Sequence, residues 1–153
     1  MIIKICFVSS SGGHLDELLM LKPLAEKYDS YLLTEKTDYN AAKINISQYY
    51  VNQINRKEKK FLIHFIKLFS ISYKLFRKER PDIIITTGAL VAVPTCIISK
   101  MFRKKIIFIE SFADINYPTL SGRIVYKFAD VFIVQWESML KFYPKAIYGG
   151  SIY

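Results

Sequence analysis

Three stretches of the chain, DIIIT (Asp82 to Thr86), KIIFIE (Lys105 to Glu110) and VFIV (Val131 to Val134), are apolar at consecutive positions and do not alternate. A strand with one wet face alternates, whereas a strand apolar at every position has to be covered on both faces, as in a buried parallel sheet. The opening run from Ile2 to Val8 has the same character, and Tyr31–Thr34 and Gln48–Val51 are shorter strand-like runs. Between these runs lie helical patterns. Leu15, Leu18, Leu19 and Leu24 follow the first strand at helical spacing, with Pro23 expected to kink or restart that helix. A long helix is predicted from Lys59 to Glu79, ended by Pro81, and shorter ones from Pro94 to Phe102 and from Ser121 to Phe128. The polar stretch between the second and third strands reads as a loop with one helical turn. This alternation predicts an α/β fold, a Rossmann-like doubly wound parallel sheet with helices on both faces. No internal repeat or linker divides the 153 residues, of which 52% are hydrophobic, so residues 1–153 are expected to form one domain around one core.

Twenty-two Lys and Arg against thirteen Asp and Glu give a net charge of +9. Such a balance favours nucleic acids, anionic membranes or phosphorylated small molecules as partners. A nucleic-acid-binding module would interleave basic and aromatic residues on an exposed strand or a reading helix, but here the basic residues cluster around a very apolar helix, so nucleic acid is not the expected partner. Cys6 and Cys96 lie far apart in apolar segments, which fits a reduced cytosolic protein. Neither a disulfide, a metal site nor a cofactor is expected.

Ligands of doubly wound sheets bind beyond the carboxyl ends of the strands. Three loops fall there: Ser9–His14 (SSSGGH), Thr86–Pro94 (TTGALVAVP) and Glu110–Gly122 (ESFADINYPTLSG). In the first, Gly12 and Gly13 lack the Cβ that blocks close approach, and Ser10, Ser11 and the first-turn N–H groups of the following helix suit a phosphate or diphosphate. A tight turn with a serine N-cap would use the same residues. The spacing is not G-x-G-x-x-G, so Glu35, at the end of the second strand, reads as a solvated carboxylate rather than a ribose ligand. Thr87 and Gly88 form either a second cradle for the far end of a diphosphate or a plain strand-to-helix turn. His14, as a neutral imidazole near a helix N-terminus, would accept a proton from a substrate hydroxyl, or else hydrogen-bonds the loop. Glu110, at the end of the fifth strand, would orient or deprotonate a substrate hydroxyl, or serve as a structural acid beside a cation. Asp16 and Glu17 read as first-turn acids favoured by the helix dipole, and Trp136 and Phe142 as packing residues.

The helix from Lys59 to Glu79 is apolar almost all round, apart from a narrow stripe of Lys60, His64, Lys67, Lys74 and Lys78. Its apolar run is too short and too interrupted by charge to span a bilayer. Two readings follow: a helix lying in the headgroup region with Lys60, Lys67 and Lys74 on anionic lipid, or a covering helix with a solvated stripe.

The run SSGGH, then PDIIITTG with VP shortly after, IES, LSGRIVYKFADVFIVQWE and YPKAIYGG resemble the acceptor-side subunit of split glycosyltransferases that build lipid-linked sugars. That family includes the membrane-side subunit of the eukaryotic enzyme adding the second N-acetylglucosamine to dolichol-diphosphate. It also includes bacterial capsule and exopolysaccharide proteins, the type this chain resembles most. A more distant resemblance is to the N-terminal half of the peptidoglycan N-acetylglucosaminyltransferase. The resemblance implies the N-terminal half of a GT-B fold, peripheral on the cytoplasmic face of the cell membrane, acting on a UDP-sugar and a polyprenyl-diphosphate-sugar together with a donor-binding glycosyltransferase subunit. It places His14 at the acceptor side of the interdomain cleft, and it makes the segment with Tyr148, Gly149, Gly150 and Tyr153, at the crossing point between halves, an expected docking surface for that partner. A stand-alone Rossmann-type enzyme on a small phosphorylated substrate would also explain the anion loop, but no nucleotide pocket is legible in the residues.

Overall fold

Alternate residues of β1 (Lys4–Ser9) enter two different cores, Cys6 and Val8 on one face and Ile5 and Phe7 on the other, and this double coverage is what a run apolar at every position requires. The computed structural model describes residues 2–37, 44–55 and 57–153. Among these, β2 (Asp29–Glu35), β3 (Ser47–Val51), β4 (Ile83–Gly88), β5 (Lys105–Ile109), β6 (Val131–Val134) and β7 (Ile147–Tyr148) join β1 in one sheet of order β3-β2-β1-β4-β5-β6-β7. Every pairing is parallel.

The helices divide between the two faces. Leu15 and Leu18 of α1 (Gly13–Leu19) and Ala25 of α2 (Lys22–Lys27) cover Ile5, Phe7, Leu32 and Ile85. On the other side, α3 (Phe61–Glu79), α4 (Ala92–Met101) and α5 (Leu120–Val125) bring Leu68, Leu75, Cys96 and Val125 onto Cys6, Val8, Ile84 and Phe108. Both cysteines are buried free thiols in this second core, where burial pushes the Cys6 thiol up to about 12. The Rossmann-like doubly wound sheet expected from the sequence is the fold observed.

Local chemistry sets the boundaries. Pro23 lies in the first turn of α2, where its missing N–H is not needed, so it restarts the helix. Arg80 ends α3 in the left-handed conformation (φ 49°), its N–H reaching Phe76 O at 2.8 Å, and Pro81 prevents continuation. The predicted last helix stops at Val125 rather than Phe128. Two features are absent from the sequence reading: the edge strand β7, and a 3-10 turn at Glu137–Lys141. Part of the loop expected between β2 and β3, residues 38–43, lies outside the described residues.

The strand order reverses between β1 and β4. The loop after β1 therefore leads to α1 on one face and the loop after β4 to α4 on the other, and the two border one crevice at the carboxyl edge.

Candidate functional site

His14 and Thr87 bridge that crevice. The imidazole Nδ1 lies 2.9 Å from Thr87 O, and Thr87 Oγ1 donates back to His14 O at 2.6 Å. A carbonyl only accepts, so Nδ1 carries the hydrogen, and in the neutral imidazole Nε2 keeps its lone pair. His14 thus does hydrogen-bond the chain, at the carboxyl end of β4, while no described contact engages its second nitrogen.

Beside it, Gly12 adopts φ +78°, ψ −145°, a backbone open essentially to glycine alone. A Cβ added at Gly12 or Gly13 would meet nothing within 4 Å, so the loop borders open space. The N-cap of α1 is Gly12 with no side-chain cap, which corrects the serine N-cap. Ser11 instead donates its N–H and its Oγ, each at 3.2 Å, to Glu35 Oε2, and Gln53 Nε2 donates to Ser11 Oγ. Glu35, only 7% exposed, is therefore no solvated strand end: it sits beneath the loop and fixes the shape of the turn.

Across the crevice, Thr87 is buried and the next two N–H groups are engaged. Gly88 N donates to Thr86 Oγ1 at 2.9 Å and Ala89 N to Ser121 Oγ at 3.1 Å. Gly88 (φ 98°) packs so closely on Phe108 that an added Cβ would come within 3.0 Å of its ring. Thr87 and Gly88 thus form a rigid wall in which the N–H groups of Gly88 and Ala89 are engaged within the chain.

Glu110 is built in as a structural acid, one of its two expected readings, with hydrogen-bond donors where a cation was expected. It is 1% exposed and has no cationic partner among its described contacts. Its Oε1 accepts from Ser111 N (3.1 Å) and Thr119 Oγ1 (2.7 Å), and its Oε2 from Tyr143 OH (2.6 Å). Burial and the bond to Glu110 push the Tyr143 phenol up, which keeps it a donor. The acid holds both ends of the loop after β5 and does not face the cleft.

The sequence reading missed Glu17. Only Asp16 behaves as an exposed first-turn acid; Glu17 is buried. Its Oε1 accepts from Ser111 Oγ (3.1 Å) and Phe112 N (3.0 Å), and its Oε2 from Gln135 Nε2 (3.2 Å). Gln135 Nε2 also donates to Glu110 O, and its Oε1 accepts from Ile152 N. Burial pushes the carboxyls of Glu17 and Asp114 up, and the neighbouring His14 opposes the shift in both. The His14 imidazole thus acts on two carboxyls, the buried Glu17 and the half-buried Asp114.

Trp136 packs as expected, donating Nε1–H to Phe112 O at 2.7 Å, whereas Phe142 is exposed. Tyr148 and Tyr153 expose more than half of their surface, with the Tyr153 ring edge-on to Phe112 at 5.4 Å. Gly149 N donates to Val134 O, while Gly150 turns with φ 72°. Lys60, Lys67 and Lys74 are all exposed. Along α3 the apolar side chains Leu62, Ile63 and Ile66 are exposed as well, whereas Leu68, Leu75 and Phe76 are buried. Among the described residues no helix is long and apolar enough to cross a membrane, and no cluster of His, Cys, Asp and Glu has the makings of a metal site.

The fold is similar to that of Acinetobacter baumannii MurG (TM-score 0.72, 14% identity), over 89% of this chain and 42% of that one. It is also similar to a UDP-N-acetylglucosamine 2-epimerase from Rickettsia bellii (TM-score 0.75, 13% identity), over 99% and 46%. The chain spans less than half of each of these structures. Sheet order and switch-point crevice thus define a Rossmann-like half-unit of the GT-B kind. The model of the family described as "Oligosaccharide biosynthesis protein Alg14 like" matches residues 5–152, and the chain belongs to that family. It is 27% identical to UDP-N-acetylglucosamine transferase subunit ALG14 of Homo sapiens, over 98% of this chain and 83% of that protein. With the Yarrowia lipolytica subunit of the same name it shares 30% identity, over 97% and 81%.

Proposed function

We propose that this chain is the acceptor-binding, non-autonomous subunit of an inverting, UDP-sugar-dependent glycosyltransferase, working on a polyprenyl-diphosphate-linked sugar. The observation that carries the reading is the His14 imidazole, fixed through Nδ1 at the switch point beside a glycine loop with open space before it. In the reaction, the acceptor hydroxyl attacks the anomeric carbon of the donor, the bond to UDP breaks, and Nε2 of His14 takes the hydroxyl proton. The diphosphate of the lipid faces the loop Ser10–Gly13. Glu110 is a positioning residue: it shapes the loop that carries Asp114 and does not touch the acceptor.

The donor-binding half comes from a partner subunit. Tyr148 and Tyr153, exposed at the end of the sheet, supply aromatic anchors around Gly149 and Gly150, and truncation after Pro144 weakens the complex. The chain lies on the anionic cytoplasmic face of the cell membrane through α3. Leu62, Ile63 and Ile66 enter the headgroup region while Lys60, Lys67 and Lys74 meet lipid phosphates. The setting we propose is capsule or exopolysaccharide synthesis.

The test is an assay of the purified chain with a UDP-sugar and a polyprenyl-diphosphate-sugar, alone and with its candidate partner. Turnover only on mixing is expected, and robust turnover by the chain alone would sink the split-enzyme reading. Flotation with anionic vesicles tests the membrane surface. Replacing Lys60, Lys67 and Lys74 with Glu should release the protein, since each lysine contributes about 1 kcal/mol near such a surface. Unchanged flotation would remove α3 from the interface.

A further inference from the structure

Next to the glycine loop, a cavity of about 570 Å³ is lined by Ser10, Glu35, Gln53, Asn55, Lys57 and Leu90, among others. This lies within the ~300–1,000 Å³ range of small-ligand sites. Ser10 and Leu90 come from the turns that follow β1 and β4, four residues before His14 and three after Thr87, so the cavity opens at the same carboxyl edge of the sheet as that pair.

We infer that this cavity is a saccharide subsite for the lipid-linked acceptor, in which Glu35 accepts hydroxyl hydrogens of a pyranose ring. The inference rests on the acceptor-binding reading given above. Glu35 is nine-tenths buried, and its described hydrogen bonds, both from Ser11, fall on Oε2. A carboxylate offers about four lone-pair positions, so Oε1 retains acceptor capacity at the cavity wall. No cation pairs with Glu35 among the described contacts, and a buried carboxylate without a cation depends on hydrogen-bond donors. Sugar hydroxyls are such donors. The other walls complete the match. Asn55 Oδ1 is engaged by Lys57 N, which leaves the amide hydrogens of Asn55 as donors, and Lys57 adds an ammonium. Leu90 and Ile54 present apolar surface to ring C–H groups.

The composition also rejects other occupants. Among the described lining residues, Glu35 and Glu58 outnumber Lys57, which disfavours a phosphate against them and leaves the diphosphate to the glycine loop. Among the described residues no aromatic ring lines the walls, so they offer a nucleobase no stacking platform.

The test measures the affinity of the full chain, in lipid nanodiscs, for polyprenyl diphosphate and for polyprenyl-diphosphate-N-acetylglucosamine. The wild-type chain should prefer the sugar-bearing lipid. Glu35→Gln should cost about tenfold or more of affinity for that lipid, the loss of one charge-assisted hydrogen bond, and weaken the bare lipid by a clearly smaller factor, because the amide oxygen still accepts from Ser11 beneath the diphosphate loop. Gln53→Ala and Asn55→Ala, which leave the Ser11–Glu35 bonds in place, should reduce the same preference by a smaller factor. Equal binding of the two lipids by the wild-type chain would overturn the subsite while leaving the acceptor reading standing. Equal weakening of both lipids by Glu35→Gln, with the sugar preference intact in the two amide variants, would reduce Glu35 to a support of the Ser11 turn. Binding of neither lipid would overturn the acceptor reading, and the subsite with it.

Discussion

The loops after β1 and β5 lie at the same edge of one sheet, and both depend on glycine, yet the residue does opposite work in them. At Gly12 and Gly13 an added Cβ would meet nothing, so the missing side chain leaves room for something outside the chain. At Gly122 a Cβ would run into the Glu110 carboxylate and come within 2.7 Å of Tyr143 OH and 2.8 Å of Thr119 Oγ1, so the missing side chain is filled by the chain itself. The first loop is kept open over a single buried acid, Glu35. The second is closed by two, Glu17 and Glu110, which between them accept from Ser111, Phe112, Thr119, Gln135 and Tyr143. An empty neighbourhood marks a glycine available to ligand, and a crowded one marks a glycine committed to packing.

The largest effect should come from exchanging these two environments. Gly122→Ala should destabilise the fold by about 2–4 kcal/mol, because the new methyl displaces a hydrogen-bonded carboxylate in a packed site. Gly13→Val should change stability by less than about 1 kcal/mol and still abolish acceptor binding. Urea unfolding and a lipid-binding assay on both variants check the contrast, and equal loss of stability would erase it. Next in size is Tyr143→Phe. It removes the O–H donor from Glu110 Oε2 and should cost about 1–3 kcal/mol, the penalty of a buried acceptor left short of a partner. An unfolding midpoint equal to wild type would show that the closed loop does not depend on this bond.

A smaller effect is expected in the pH dependence. Burial raises the Glu17 carboxyl above its ordinary 4.5 in the folded chain, so the folded state binds this proton more tightly than the unfolded one. Its contribution to stability is fully present below the ordinary carboxylate range and is lost as the pH rises through the raised value. Glu17→Gln removes that linkage. Between about pH 4 and about pH 7 the variant should lose less stability than wild type, as read by denaturant melts across the range. Parallel curves would show that Glu17 does not titrate differently on folding.

The same contrast explains what could be read beforehand. The sheet, its layers and α3 were legible because continuous apolar runs and helical spacing are local signals, carried by neighbouring residues such as Ile83 to Ile85 or Leu68, Ser72 and Leu75. The glycine loop and His14 were legible as a motif on a strand-to-helix turn. Glu17 gave no such sign, since its partners Ser111 and Gln135 lie 94 and 118 residues away and nothing in the first helical turn points to them. Glu35 was misjudged for the same reason, its donor Ser11 being brought to it only by the pairing of β1 with β2. Glu110 sits at a strand end as expected, but its burial depends on Tyr143, which is 33 residues further on. β7 is two exposed residues with no period to detect.

The position of β1 also has a consequence in time. β1 leaves the ribosome ahead of the other six strands of the sheet, yet it lies in the middle of the finished sheet, with Ile5 next to Ser30 on one side and Ile83 on the other. At translation rates of about 5–20 residues per second, the 78 positions from Ile5 to Ile83 take roughly 4–16 s to appear. During that interval β1, β2 and β3 have one long edge without a neighbour, and among the described strands every pairing is parallel, with no short hairpin to close it sooner. The nascent chain therefore carries an apolar strand edge for seconds, which makes it a client for whatever shields such edges at the exit tunnel.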